Sequence, residues 1–326
     1  MMKRRELLLT GAAALVASPL PGRAQPAGAF PSRVIRMVPF GTAGGPIDTL
    51  ARVYADKLQA RWGQPVVIDA KPGASGIIAA DFVAKAPADG HTVFFTLPLT
   101  HVNVPIMQKT PYDPFTDFTP LSMVATGGPM IVGRADSPYG NVQEFVAGSK
   151  GGKRLHYGTW GNGSAAHLFG ELLTRQTGLD MVHVPYKSEA AAHNDLFGGQ
   201  LDFAWSNPST ARGHVQAGKM KAWAVAGSRR TPGMPDVPTF AEQGYKGFDV
   251  DSWIGVFGPA HLPQPVQDAW VTALREVTAM PDIQQRLLGY GFVPLGNTPA
   301  QFRQIFKDDY PRVSELIKAA GVTGPQ

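Results

Sequence analysis

The chain has 326 residues, with 30 Lys and Arg against 25 Asp and Glu, and a formal charge of +5. Its 44% hydrophobic content with charges of both signs excludes a disordered chain, and its length allows two domains with cores of their own. Residues 1–24 hold four of the cations and one acid, so they account for +3 and the remaining chain for only +2. That split removes the charge-based case for a nucleic-acid partner.

Lys3, Arg4 and Arg5 precede an apolar run, Leu7 to Ala17, and then small residues ending at Ala24. The pattern predicts a signal peptide over 1–24, cut before Gln25. Arg4-Arg5 with Leu7-Leu8 also fits a twin-arginine signal, although Glu6 departs from that pattern. The run is too short to span a bilayer, which needs about 20 apolar residues. With no cysteine the exported chain has neither disulfides nor a cysteine-borne lipid anchor, and the expectation is a soluble periplasmic protein.

After the leader the pattern alternates. Val34–Val38 reads as a strand, Asp48–Trp62 as a helix with Asp48 as N-cap and Gly63 after its end, 66–68 as a strand, 76–86 as a helix and 92–96 as a strand. The pattern restarts with strands at 130–132, 155–157, 181–184, 201–205 and 222–226, and helices at 142–149, 165–177 and 190–197. Beyond Trp253–Phe257 come helices at 265–279, 283–288 and 299–319. This predicts an α/β protein of two lobes, 25–128 with 250–326 and 129–249. Each is read as a mostly parallel sheet flanked by helices, with a ligand cleft between them.

Two loops carry the candidate chemistry. Phe40-Gly41-Thr42-Ala43-Gly44-Gly45 leads to Asp48, and Gly161-Asn162-Gly163-Ser164 follows the strand at 155. Each is Gly-rich, free of Lys and Arg, and opens a helix, so the free N–H groups there favour an anion. Rival chemistries fit less well. Gly41, Gly44 and Gly45 do not match a dinucleotide fingerprint, and the eight His show no metal-ligand spacing. Ser164 near His167 leaves an exported serine hydrolase as the alternative, without the usual nucleophile motif. Trp160, Trp205 and Trp253 near strand ends could serve the core or the cleft.

The order of motifs resembles a known family. Lys71-Pro72-Gly73-Ala74-Ser75-Gly76, Ala84-Lys85-Ala86-Pro87-Ala88-Asp89-Gly90-His91-Thr92, Gly161 to Leu168, His183-Val184-Pro185-Tyr186-Lys187, Asp195 to Asp202 and Pro235-Asp236-Val237-Pro238-Thr239 run through it. The chain is similar to the extracytoplasmic solute receptors of tripartite tricarboxylate transporters, the Bug family. The resemblance implies a type II periplasmic-binding-protein fold and no enzymatic activity, cofactor or metal. It implies a monomer that closes on a small carboxylate and passes it to membrane permease subunits. Carried over by the resemblance, Phe40 to Gly45, Asp48, Asn162, Gly163 and Ser164 bind the ligand, joined by Thr100, His101, Ser206 and Asn207. The sequence departs from the family pattern in three places. Gly41-Thr42-Ala43 adds a residue before Gly44-Gly45, Ala70 replaces a usual Asn, and Ser188-Glu189 replaces a Gly-led turn. If Glu189 faces the cleft, it selects against a second ligand carboxylate.

Overall fold

The structure is a computed structural model that describes residues 30–41 and 43–322; the leader reading over 1–24 and Thr42 of the first loop lie outside them. The chain begins as β1 (Ile35–Pro39), α1 (Pro46–Trp62), β2 (Val66–Ile68), α2 (Ile77–Ala84) and β3 (Thr92–Thr96). A wide turn at Leu99–Asn103 leads into the short α3 (Val104–Met107), and β4 (Phe118–Gly127) ends this half. The second lobe holds β5 (Met130–Arg134), α4 (Val142–Ser149), β6 (Leu155–Thr159), α5 (Ala165–Thr177), β7 (Met181–Pro185), α6 (Glu189–Phe197), β8 (Phe203–Ser206), α7 (Pro208–Gln216) and β9 (Met220–Val225). The chain then returns through β10 (Ser252–Pro259), α8 (Gln264–Ala279), α9 (Pro281–Gly289), β11 (Val293–Pro294) and α10 (Pro299–Ala320).

The first sheet has the order β11-β4-β10-β3-β1-β2 and the second β7-β6-β8-β5-β9. Both are mixed, which corrects the expectation of mostly parallel sheets. β1 is parallel to β2 and β3, and β6 to β7 and β8, as short βα links require. The strands that cross between lobes break the rule: β10 enters antiparallel between β3 and β4, and β5 antiparallel between β8 and β9. The crossing segments lie against each other. The Ala226 N–H donates to the Pro129 carbonyl at 2.8 Å, and an added Cβ on Gly128 would meet the Ala226 carbonyl.

Burial explains the rest. Leu50, Tyr54 and Leu58 recur on the face of α1 that packs on the first sheet with Trp270 and Leu274 of α8. A second apolar cluster is continuous through both lobes, joining Val38 and Phe94 to Tyr157, Phe169 and Trp205, with Phe302 and Phe306 of α10. Trp205 and Trp253, left open between core and cleft by the sequence, are core residues. Among the described residues no helix is long and apolar enough to cross a membrane.

Candidate functional site

The first loop joins β1 to α1. Gly45 takes the N-cap position that the sequence assigns to Asp48, because Pro46 starts the helix two residues earlier. Asp48 lies in the first turn, 1% exposed, and its Oδ2 accepts from the Gly44 N–H at 2.9 Å and from Arg52 Nε at 2.8 Å. Burial pushes its carboxyl up, but Arg52 and the Gly44 N–H outweigh burial and hold it below the usual carboxylate range. Asp48 therefore ties the loop to the helix and does not line the cleft. Gly41 and Gly44 are left-handed at φ +92° and +80°, so glycine suits both positions on backbone grounds.

The second loop joins β6 to α5. Ser164 is the N-cap, as its position predicts: Oγ accepts from the His167 N–H at 3.3 Å and donates to the Gly161 carbonyl at 2.7 Å. His167 Nδ1 accepts the Gly163 N–H at 3.1 Å, and its ring stacks on His183 at 3.8 Å. Burial pushes the His167 imidazole down and, with the His167 ring beside it, pushes His183 down to about 3. The Ser164 hydroxyl is thus not bonded to an imidazole base, which leaves the hydrolase alternative without its central contact.

Between the lobes lies a cavity of about 520 Å³. The first lobe contributes Phe40, Ile47, Leu97 and Asn103, and the second Trp160, Ser164, Ala165, Leu168, Phe169 and Asn207. Val313 and Leu316 of α10 close one side, and Tyr290 and Phe292 another. Residues in the first turns of α1, α5, α6 and α7 all line it, so four helix N-termini open toward the same space. No Lys, Arg or His occurs among its described lining residues; the charged ones are Glu189 and Asp251. A larger groove of about 1000 Å³ bears Arg33, Arg36, Lys71 and Lys85 on the first lobe alone. Since no residue of the second lobe reaches it, lobe closure could not act on its contents, and the interlobe cavity is the candidate site.

The structure brings Phe40, Ser164 and Asn207 to this cavity. Asn162 is exposed, and Gly163, at φ +71°, packs against Met107 instead. Thr100 is fully buried and donates to the Ser75 carbonyl at 2.9 Å, beneath Gly76 and Phe40. His101 is fully buried and stacks on Phe257 at 3.9 Å, so its ring serves the core. Ser206 does not line the cavity, and both it and Asn207 donate to Glu189. Sequence reasoning missed the apolar walls from α10 and Tyr290 to Phe292. Their periodicity announces burial and does not say that the burying surface is a cleft.

Two α/β lobes closing on a cavity that faces helix N-termini define a solute-binding receptor of the periplasmic-binding type. The family model described as "Tripartite tricarboxylate transporter family receptor" matches residues 50–322, and the chain belongs to that family. Periplasmic binding protein BugD is 35% identical, with a TM-score of 0.74 over 90% of this chain and 99% of its own. An R. palustris protein solved with adipate is 31% identical, with a TM-score of 0.78 over 90% and 99%. MatC from Rhodopseudomonas palustris, solved with malate, is 30% identical, with a TM-score of 0.73 over 88% and 100%. The Bug-type resemblance and the two-lobe fold are borne out, and the family implies a periplasmic location.

Proposed function

We propose that the chain is exported by its N-terminal leader, captures a small metabolite by its carboxylate between the lobes, and delivers it to a membrane permease. The observation that carries this reading is the cavity itself: an apolar space with no cation in its described lining, onto which the N-termini of α1 and α5 open from opposite lobes. Backbone N–H groups of Ile47, Asp48, Ala165 and Ala166 have no partner within their own helices and can hold an anion without a counter-charge. Ser164 lines the cavity at that end and fixes the turn that presents the α5 N–H groups. Relatives solved with adipate and malate support an organic acid as ligand. Because both lobes contact such a ligand only when closed, binding shifts the hinge equilibrium toward closure.

Titration calorimetry of ligand-stripped protein against a panel of organic acids tests the reading. At least one acid binds, and Ser164→Ala weakens it by about 1 kcal/mol, because Oγ no longer fixes the Gly161–His167 turn that presents the first N–H groups of α5. Asn162→Ala leaves affinity unchanged, since Asn162 is exposed and off the cavity. Folded, stripped protein that binds no acid would refute the proposal.

A further inference from the structure

The cavity already holds a carboxylate of its own. Glu189 opens α6 and lines the cavity, with its side chain 15% exposed. Its Oε1 accepts from the Ser206 hydroxyl at 2.6 Å and from the Asn207 backbone N–H at 2.7 Å, and its Oε2 accepts from the Asn207 side-chain amide at 2.7 Å. These donors sit where β8 ends and α7 begins, and Asn207 is the N-cap residue of α7. A helix N-terminus of this kind is a natural place for an anion. Here the protein occupies it with its own side chain, so the donors that a second ligand carboxylate would use are taken.

Among the described residues no Lys or Arg forms an ion pair with Glu189. His193 lies beside it, with Nε2 at 3.7 Å from Oε1; burial pushes its imidazole down, with His214 adding to this, against a smaller upward pull from Glu189. A carboxylate offers about four accepting positions, and three are filled, which leaves one on Oε2. Asp251 is the second acid in the lining. Both its oxygens bond to Ser228, and it also borders a crevice with Arg229 and Arg230, so Glu189 carries the argument.

We propose that the far end of the ligand carries an ammonium or other N–H donor that meets Glu189, so that this receptor takes amine-bearing monocarboxylates and rejects dicarboxylates. The inference rests on the receptor reading above and adds the chemistry of the second end. One end of the ligand meets the N-termini of α1 and α5, where anions are favoured, and an aliphatic middle lies along the apolar walls. The other end meets a fixed negative charge that repels a second carboxylate and leaves a donor-less tail unpaired.

The test compares chain-matched ligands on the full-length protein by calorimetry: 4-aminobutyrate, 5-aminopentanoate and 6-aminohexanoate against the dicarboxylates and the plain monocarboxylates of equal carbon number. At the best length the amino acid binds at least about tenfold more tightly than either partner. Glu189→Gln removes that preference, and Glu189→Asp retains its direction. Equal or tighter binding of the dicarboxylate or of the plain acid by the unmodified protein overturns the inference and leaves the carboxylate receptor standing. Binding of none of the acids overturns the receptor reading, and this inference with it. The unmodified protein alone decides these outcomes should the Gln variant fail to fold.

Discussion

His101 shows what a buried polar side chain does when it is not part of the site. Its ring stacks on Phe257 and lies among Phe94, Phe118 and Phe306, and neither ring nitrogen has a partner of hydrogen-bonding geometry. Burial pushes its imidazole down to about 3, against a smaller upward pull from the Pro114 backbone. The folded value is below the unfolded one, near 6.5, so the unfolded chain binds the proton first as pH falls. Stability is whole above about pH 6.5 and is lost progressively toward pH 3, by a few kcal/mol from this one group. His183, also pushed down to about 3, acts in the same direction. His101→Phe keeps an aromatic ring in an aromatic nest. Melting temperatures between pH 7 and 4 should fall less steeply for it than for the unmodified chain, and an unchanged slope would discard this account. A sequence shows that a His follows a strand; it does not show that four rings have closed around it.

At the level of elements, legibility followed local signals. The segment β6–loop–α5 was readable because Ser164 caps, Gly178 ends the helix in a left-handed residue, and the apolar spacing between them is helical. α10 was equally plain: Thr298 and Gln301 form a capping box, and Gly321 closes the other end. β4 was missed although it is ten residues long, because both its faces are buried and no alternation survives. Pro120 further disguised it, sitting opposite Phe257 beside a register shift where a missing N–H is tolerated. α7 was missed because Pro208, Ser209 and Gly213 read as a turn. Within α10, Asp309 makes a separate prediction. Burial pushes its carboxyl up to about 6; the charges of Asp251, Asp308 and Asp249 add to this, and Arg312 opposes them. Here the folded value lies above the unfolded one, so stability is full near pH 4 and is lost as pH rises through 6, the opposite sign to His101. Asp309→Asn should therefore raise stability by about 2–3 kcal/mol at pH 7.5 and by little at pH 4, read from urea midpoints at both. A gain of equal size at both values would mean that the aspartate's charge is not the cause.

At the scale of the whole molecule the lobes touch across the cleft. Asn103 Nδ2 donates to the Gly163 carbonyl at 3.1 Å in a buried contact between lobes, and Val313 and Leu316 of α10 meet the same cavity as Leu168 and Phe169 of α5. On the proposed mechanism closure sets part of the affinity, because only the closed fraction presents both ends of the site to the ligand. Gly163 isolates this contribution, since it touches the opposite lobe without lining the cavity. A methyl group there would come within 2.7 Å of Met107 Cε when the lobes are shut, and its φ of +71° is strained for any other residue. The two costs separate. Backbone strain of roughly 1–2 kcal/mol acts with the lobes open or closed and lowers the melting temperature. The Met107 contact acts only on closing; because Cε is the free end of a flexible side chain it can turn aside, at a small cost in affinity. Gly163→Ala should bind every ligand more weakly by at most about fivefold, an effect no larger than about 1 kcal/mol, with the order of preference among ligands unchanged. Adding Met107→Ala should restore the affinity but not the melting temperature, and small-angle scattering should show the ligand-induced compaction returning with it. If affinity and melting temperature recover together, or neither does, lobe closure at Gly163 is not what sets the binding strength. Discrimination between ligands would stay with Glu189, which lines the same cavity.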